Sequence, residues 1–418
     1  MSERRDWQLE WVTTTLTRRV MALAVVCIVL LVLAPQPSTA AALGVTLLVL
    51  AGLLVDRRPD ALVVSASIGR DHVNEGGAVE ALVSLGPAGV PLHASAHLEL
   101  VPTMRRIDRS RWRLVPGAEP LRIPVRAARW QNTPPGVVAV HVVSRRGGWT
   151  ASTVLPLPTL HVHPVSHSRP RTSAPPAMLS RLGSHPSRLR GRGGDFAELR
   201  EYVRGDALRD VNWKSSARAG ELMVTERHRD QAADVVILLD RASPRGSYDR
   251  RLLDRSVRSA AALTRSFLRA GDRVALVAFG AVTRSVPLGQ GRAHELRLLD
   301  ELSTEPETES FLEPEIARVP PSVLPPRAMV YCFSPLLDAR VVALIGHLAE
   351  RGHRIVTIDS EGIEPRAWPK GLHPATREVW LTHRRSLRSN LADIGVVVVD
   401  SVEAVAPAVR AFAAGRLR

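Results

Sequence analysis

The sequence predicts a mixed α/β protein: an N-terminal transmembrane helical hairpin, a β-sandwich-like region, and a doubly wound α/β domain. Three observations predict it. Two uncharged apolar runs stand near the N-terminus, short alternating runs broken by Gly and Pro follow, and from Asp234 onward strand-like and helix-like segments alternate strictly. The expected boundaries are 1–58 for a tail and two transmembrane helices, 59–164 for the β-rich part, 165–194 for a Pro/Arg/Ser-rich linker, and 195–418 for the last domain.

The hairpin rests on Val20–Ala34 and Ala40–Val55, two runs of Leu, Val and Ala without a charge. Each falls a little short of the ~20 residues that cross a bilayer, and the uncharged flanks Val12–Thr17 and Pro35–Thr39 extend them. A secretory signal fits poorly, because the second run follows with no charge between. Arg4, Arg5, Arg18 and Arg19 precede the first run and Arg57 and Arg58 follow the second, while the turn between them carries no arginine. The positive-inside rule then places both ends in the cytosol and only a tight turn outside, giving a two-span inner-membrane protein with its large domains cytoplasmic.

The β-rich part shows alternating runs at Ala61–Ile68, Val79–Leu85, His97–Val101, Leu121–Ala127, Val137–Val143 and Thr159–His163. Gly/Pro/Asn breaks between them suggest a sandwich of roughly 100 residues. His161-x-His163 could place two imidazoles on one strand face, with His167 and His185 further on. Pro164 follows directly and no carboxylate or cysteine stands beside them, so surface histidines are expected rather than ligands.

In the last domain Val235–Asp240 reads as a central parallel strand, and Tyr248–Ala270 as a helix stopped by Gly271. Strands at Val274–Phe279 and Thr283–Pro287, a helix near Ala293–Leu302, and a proline-bounded loop at Ser303–Pro326 come next. Strand Ala328–Phe333, helix Leu337–Arg351, strand Arg354–Ile358, a helix near Arg385–Asp393, strand Gly395–Val399 and helix Val402–Ala414 complete the series.

Before the first of these strands, Phe196, Leu199 and Tyr202 are spaced as one face of a short helix ended by Gly205-Asp206, and Leu208, Val211 and Trp213 are expected to point inward. Acids Glu198, Glu201, Asp206 and Asp210 alternate with Arg200, Arg204, Arg209, Lys214 and Arg218. So mixed a charge pattern favours ion pairing and partner docking over a one-signed ligand site. This segment resembles the bacterial domain of unknown function 58 family, whose hallmark is F-x-x-L-R-x-Y-x-x-G-D-x-x-R-x-I-x-W-x-x-S-A-R-x-G-x-L. Phe196, Leu199, Arg200, Tyr202, Gly205, Asp206, Arg209, Trp213, Ser216, Ala217, Arg218, Gly220 and Leu222 match it in spacing, with Arg204 where proline is usual and Val211 where isoleucine is. The resemblance implies a von Willebrand factor A-like (Rossmann-type) domain in a membrane-tethered accessory protein. It also implies a MoxR-type AAA+ ATPase as partner, the pair acting in folding, assembly or activation of protein clients.

A-like domains hold Mg²⁺ through an Asp-x-Ser-x-Ser loop and hard oxygens from later loops. Here the loop is Asp240-Arg241-Ala242-Ser243-Pro244, and Ser334-Pro335 stands where the family often has Ser-Asp. Asp240, Ser243 and Ser334 remain as remnants of a degenerate site, so neither metal nor other cofactor is expected. A carboxylate pair of Asp240 and Asp359 would suit a hydrolase, but helix caps are the favoured reading of both. Phosphate-binding, nucleophile-elbow and zincin motifs are absent, and Cys27 and Cys332 read as small buried hydrophobes.

The formal net charge is +15, almost all of it arginine, with lysine only at Lys214 and Lys370. Aromatics make up 4%, and no basic tract is interleaved with them, so nucleic acid is not the expected partner. The expected function is therefore a non-enzymatic membrane-anchored adaptor. A metal-dependent hydrolase, or an anionic-lipid or nucleic-acid binder using Arg169–Arg192, stand as alternatives.

Overall fold

The structure is a computed structural model. It describes residues 5–56, 62–86, 92–107, 111–165, 196–203, 206, 211–227, 233–241, 250–280, 282–305, 319–320, 322–326, 328–364, 368 and 371–413. The linker, with Arg169–Arg192, His167 and His185, lies outside the described residues, as do Gly205, Arg209 and Ser243. The chain divides into two compact units, Met1–Pro164 with Ser303–Glu305, and Val165–Leu302 with Pro306–Arg418.

The first unit is a two-helix hairpin rooted in a β-sandwich. Helices α1 (Thr15–Leu33) and α2 (Pro37–Leu54) are apolar on nearly every side, with most of their leucines and valines exposed. Both are long and apolar enough to cross a membrane.

Three sheets follow. One has the order β1 (Arg5–Gln8), β3 (Val63–Ile68), β5 (Ala78–Gly86), β9 (Leu121–Ala127), β7 (Met104–Arg106). A second runs β2 (Val12–Thr13), β12 (Trp149–Pro156), β11 (Gly136–Ser144), β6 (Leu92–Leu100), β8 (Arg111–Leu114). The third is small: β10 (Gln131–Thr133), β13 (Leu160–His163), β4 (His72–Asn74). Alternate residues of the larger sheets, among them Val64, Ala66, Val83, Ile123, Val140, Val142 and Leu155, form one buried cluster, the inward half of a period-2 pattern.

The tail ahead of the hairpin, which the sequence left without elements, supplies β1 and β2 to these sheets. Asp6 lies opposite Ser65, and Thr13 opposite Trp149. Chain segments on both sides of the hairpin are therefore paired into one sandwich.

The hairpin's base is bolted to the β11–β12 turn. Thr14 Oγ1 donates to Gly147 O at 2.7 Å and Thr17 Oγ1 to Gly148 O at 2.8 Å. Just past the end of α2, Asp56 accepts from Arg146 N at 2.7 Å. Gly148 must be glycine here, because a Cβ would sit 2.0 Å from the Leu53 carbonyl oxygen.

The second unit holds a two-stranded sheet of β14 (Phe196–Glu201) and β15 (Met223–Arg227), with helix α3 (Trp213–Ala219) between them in sequence. Phe196–Tyr202 is thus extended, not the helix that its period-3 spacing suggested. Arg200 pairs with Val224 and Leu199 with Thr225, so a partner strand beyond the window decides the conformation.

A six-stranded sheet follows: β18 (Arg284–Gly289), β17 (Arg273–Phe279), β16 (Asp234–Asp240), β19 (Met329–Ser334), β20 (Arg354–Asp359), β21 (Val397–Val399). Only β18 is antiparallel. Numbered in chain order the strands stand 3-2-1-4-5-6, reversing direction of growth between β16 and β19.

One face buries Val236, Leu238, Val277 and Val330 against Val341, Leu344 and Leu348 of α6 (Ala339–Glu350) and Leu391 of α7 (Pro374–Asp393). On the other, Tyr331 meets Phe267 of α4 (Arg250–Ala270), with α5 (Arg292–Leu302) alongside α4. Helix α8 (Val405–Ala413) closes the series beside β21. Helix α7 starts eleven residues before the expected Arg385, at Pro374, where His373 Nδ1 caps the Ala375 amide and proline occupies the first turn.

Candidate functional site

Two places in the second unit collect the residues that the sequence singled out. The first is the set of C-terminal ends of the parallel strands, where open α/β sheets bind ligands. Asp240, Ser334 and Asp359 end β16, β19 and β20, three neighbouring strands. Ser334 Oγ donates to Asp240 Oδ2 at 2.6 Å and accepts from Leu336 N at 2.9 Å. Leu336 is held at φ +53°, a left-handed conformation costing a β-carbon residue on the order of 1–2 kcal/mol.

Arg384 of α7 holds that turn. Its Nη1 donates to the carbonyls of Pro335 and Leu336 at 3.0 and 2.9 Å, and its Nη2 to Asp359 Oδ2 at 2.6 Å. Arg384 is 1% exposed and Asp359 0%. Arg388, one turn on, reaches the same carboxylate at 2.6 Å and also Asp400. Asp359 further accepts the Glu361 and Gly362 amides. The favoured helix-cap reading of Asp359 gives way to this buried ion-pair hub. On the other side of β16, Arg241 is buried with its guanidinium on Glu301.

Cys332 lies under the same edge, its thiol pushed up by burial and then by the nearby Asp240 charge. An octahedral Mg²⁺ wants several free hard oxygens and few cations. The donors left here are Asp240, already engaged by a hydroxyl, and Ser334. With Pro335 in the third position and guanidinium groups buried at the neighbouring strand ends, the donor set does not fit the ion. Ser243, the remaining candidate ligand, lies outside the described residues.

The second place is the segment between β14 and β15. Arg200 grips Asp206 with two parallel bonds of 2.8 Å, and Asp206 also accepts from Val203 N at 2.9 Å. That guanidinium, helped by the backbone amide, holds the Asp206 carboxyl down at about 2. Asn212 caps α3 by accepting from Ser215 N at 3.1 Å. Ser216 is buried and ties the helix to β15: its Oγ accepts from Met223 N at 2.8 Å and donates to Asn212 O at 2.9 Å. Gly220 ends the helix at φ +74°, the left-handed cap that glycine adopts without strain. Tyr202 joins the frame through its amide, which bonds Leu222 O at 2.7 Å, and Val211 is buried opposite Val224.

Trp213 departs from expectation. It is 64% exposed rather than inward, at the first position of α3. Lys214, Ala217 and Arg218 are exposed with it. Trp213/Ala217 and Lys214/Arg218 are both i,i+4 pairs, so an apolar stripe lies beside a cationic one.

Residues 198–365 match the family described as Protein of unknown function DUF58. The matched stretch makes up less than half of the chain. It includes the Arg200–Asp206 clasp, α3 and the strand ends at Asp240, Ser334 and Asp359, and it stops short of Arg384 and Arg388. A stretch of 138 residues is 28% identical to uncharacterized proteins of Mycobacterium bovis and Mycobacterium tuberculosis. It covers 32% of this chain and 44% of each relative, so the match spans less than half the length of those proteins.

In the first unit, β4 pairs with β13 and brings His72 beside the expected histidines. Its ring stacks on His161 at 4.6 Å and meets His163 edge-on at 5.3 Å. A three-residue strand has no readable period, which is why His72 escaped the sequence reading.

Proposed function

We propose that this protein is a membrane-anchored cytosolic adaptor that docks a protein partner on the outer face of α3 and performs no chemistry of its own. The observation carrying this reading is Trp213. Every other described polar or glycine position of the signature serves the local frame or the α3 surface, whereas this large aromatic faces solvent on a helix that the frame holds still. Rigid exposed tryptophans flanked by cations suit a partner with an apolar pocket and an acidic rim.

The strand order with an antiparallel edge favours a von Willebrand factor A-like assignment for the six-stranded sheet, and the satisfied strand ends favour a domain that binds through its surface. Resemblance to the family points to a MoxR-type AAA+ ATPase as partner, acting on assembly or activation of client proteins. For orientation, the pairing of β1 with β3 in one sheet supports placing the two flanks of the hairpin on one side of the membrane. Arginines on those flanks favour the cytosolic face.

The test is co-purification of the detergent-solubilised protein with an AAA+ ATPase of the same cell, using wild type and Trp213→Ala. Loss of the ATPase in the variant alone supports docking through α3. Equal recovery in both removes α3 as the docking surface, and no ATPase in either removes the partner.

A further inference from the structure

The turn that joins the sandwich to the hairpin carries chemistry that anchoring does not require. We infer that the β11–β12 turn, with the start of α1, forms a binding surface for the phosphate headgroups of anionic lipid. This rests on the membrane-anchored reading above. Four exposed arginines gather there from two distant parts of the chain: Arg18 and Arg19 in the first turn of α1, and Arg145 and Arg146 in the turn itself.

Their placement follows from bonds already described. Thr14 and Thr17 fasten α1 to Gly147 and Gly148, which sets Arg18 one residue beyond the fastening. Arg18 Nε donates to Thr13 O at 3.3 Å, and Arg146 Nη1 to Gly52 O at 3.4 Å. Both spans therefore leave the sandwich between these cations. The acid within this base, Asp56, is buried and engaged by the Arg146 amide. Glu10 is an exposed acid between β1 and β2. Basic side chains thus outnumber the exposed acid at the level where apolar helix meets polar sandwich. Trp149 follows Gly148 directly, the kind of amphipathic ring found at a headgroup boundary.

A headgroup phosphate offers these cations a permanent anion held at that depth. Arginine is suited to it because a guanidinium presents paired donors to phosphate oxygens. Positive flanks alone would set orientation. Two further arginines on a turn that the helices clamp rigidly make a lipid-facing site.

The full chain, extracted in mild detergent with its lipids, is compared by native mass spectrometry with R18Q/R19Q/R145Q, with cardiolipin and phosphatidylethanolamine as competing probes. Arg146 is left in place because it also holds Gly52. Retained cardiolipin should fall about fivefold for each arginine removed, the ~1 kcal/mol that one basic residue contributes near an anionic surface. Phosphatidylethanolamine retention should not change. Equal cardiolipin retention in variant and wild type overturns the inference. Carbonate extraction of the same membranes separates the two ideas: release of the wild-type protein would overturn anchoring itself, while firm insertion without lipid preference overturns only the headgroup site.

Discussion

The strand ends of the six-stranded sheet and the segment around α3 both rest on arginine–carboxylate pairs, yet they use them oppositely. At the strand ends Asp359 sits beneath Arg384 and Arg388, wholly buried, and each donor of Arg384 ends on a neighbour's oxygen. Around α3, the Arg200–Asp206 clasp is partly exposed and stiffens a loop beside an open aromatic surface. Charge in the first place closes a crevice, and charge in the second holds a surface still. A carboxylate at the end of a parallel strand is therefore no sign of a ligand site until its partners are known.

The largest expected effect breaks the closed side. Arg384→Met leaves the Asp359 carboxylate buried with one guanidinium fewer and strips the Pro335 and Leu336 carbonyls of the nitrogen that donates to both. Loss of one member of a buried pair costs about 3–5 kcal/mol, to be read from denaturant unfolding. If the variant is as stable as wild type, the hub has no structural role.

Gly148→Val should come next. It forces a Cβ into the Leu53 carbonyl, an overpacking of about 1–3 kcal/mol. Thermal unfolding of the detergent-solubilised protein should shift down accordingly, whereas the same substitution at Gly147, which has open space around it, strains only its left-handed φ.

On the open side, Trp213→Ala should leave stability within about 0.5 kcal/mol, as exposed substitutions do. Partner affinity should fall by about thirtyfold, the ~2 kcal/mol of an interface hot spot. A variant that unfolds instead would place Trp213 in the frame rather than on the surface.

Smallest is a pH effect on the clasp. Asp206 has its carboxyl lowered from 3.8 to about 2 by Arg200 and the Val203 amide. A depressed carboxyl adds stability that is complete above the unfolded value and is lost as pH falls through the folded one. Hydrogen exchange at Val203 should therefore quicken between pH 4 and about 2. In Asp206→Asn, exchange should be fast throughout and show no step in that window.

Much of the fold was legible from residues. The hairpin was readable because no charge interrupts Val20–Ala34 or Ala40–Val55, and β16, β17, β19 and β20 because fully buried parallel strands are continuous apolar runs. Segments decided by distant partners were not readable. Phe196–Tyr202 looks helical until Met223–Arg227 pairs with it, and β12 escaped because Trp149–Pro156 mixes polar and apolar residues on an irregular pattern.

The same limit applied to function. Asp240 and Ser334 were visible as remnants, and they do meet. Arg384 and Arg388, which decide what the strand ends can do, were hidden because the expected helix began at Arg385 and put them on no common face. Trp213 was singled out as a signature residue and expected inward, and it faces solvent.

The most direct test of the account is the topology on which its cytosolic partner depends. Cys27 and Cys332 are buried, so an added cysteine supplies the reactive thiol. Ser38→Cys in the first turn of α2, and Glu99→Cys on the sandwich, are each treated with a membrane-impermeant maleimide on intact cells. The account predicts labelling at Ser38→Cys from outside, and at Glu99→Cys only after the membrane is opened. Labelling of Glu99→Cys on intact cells would contradict it.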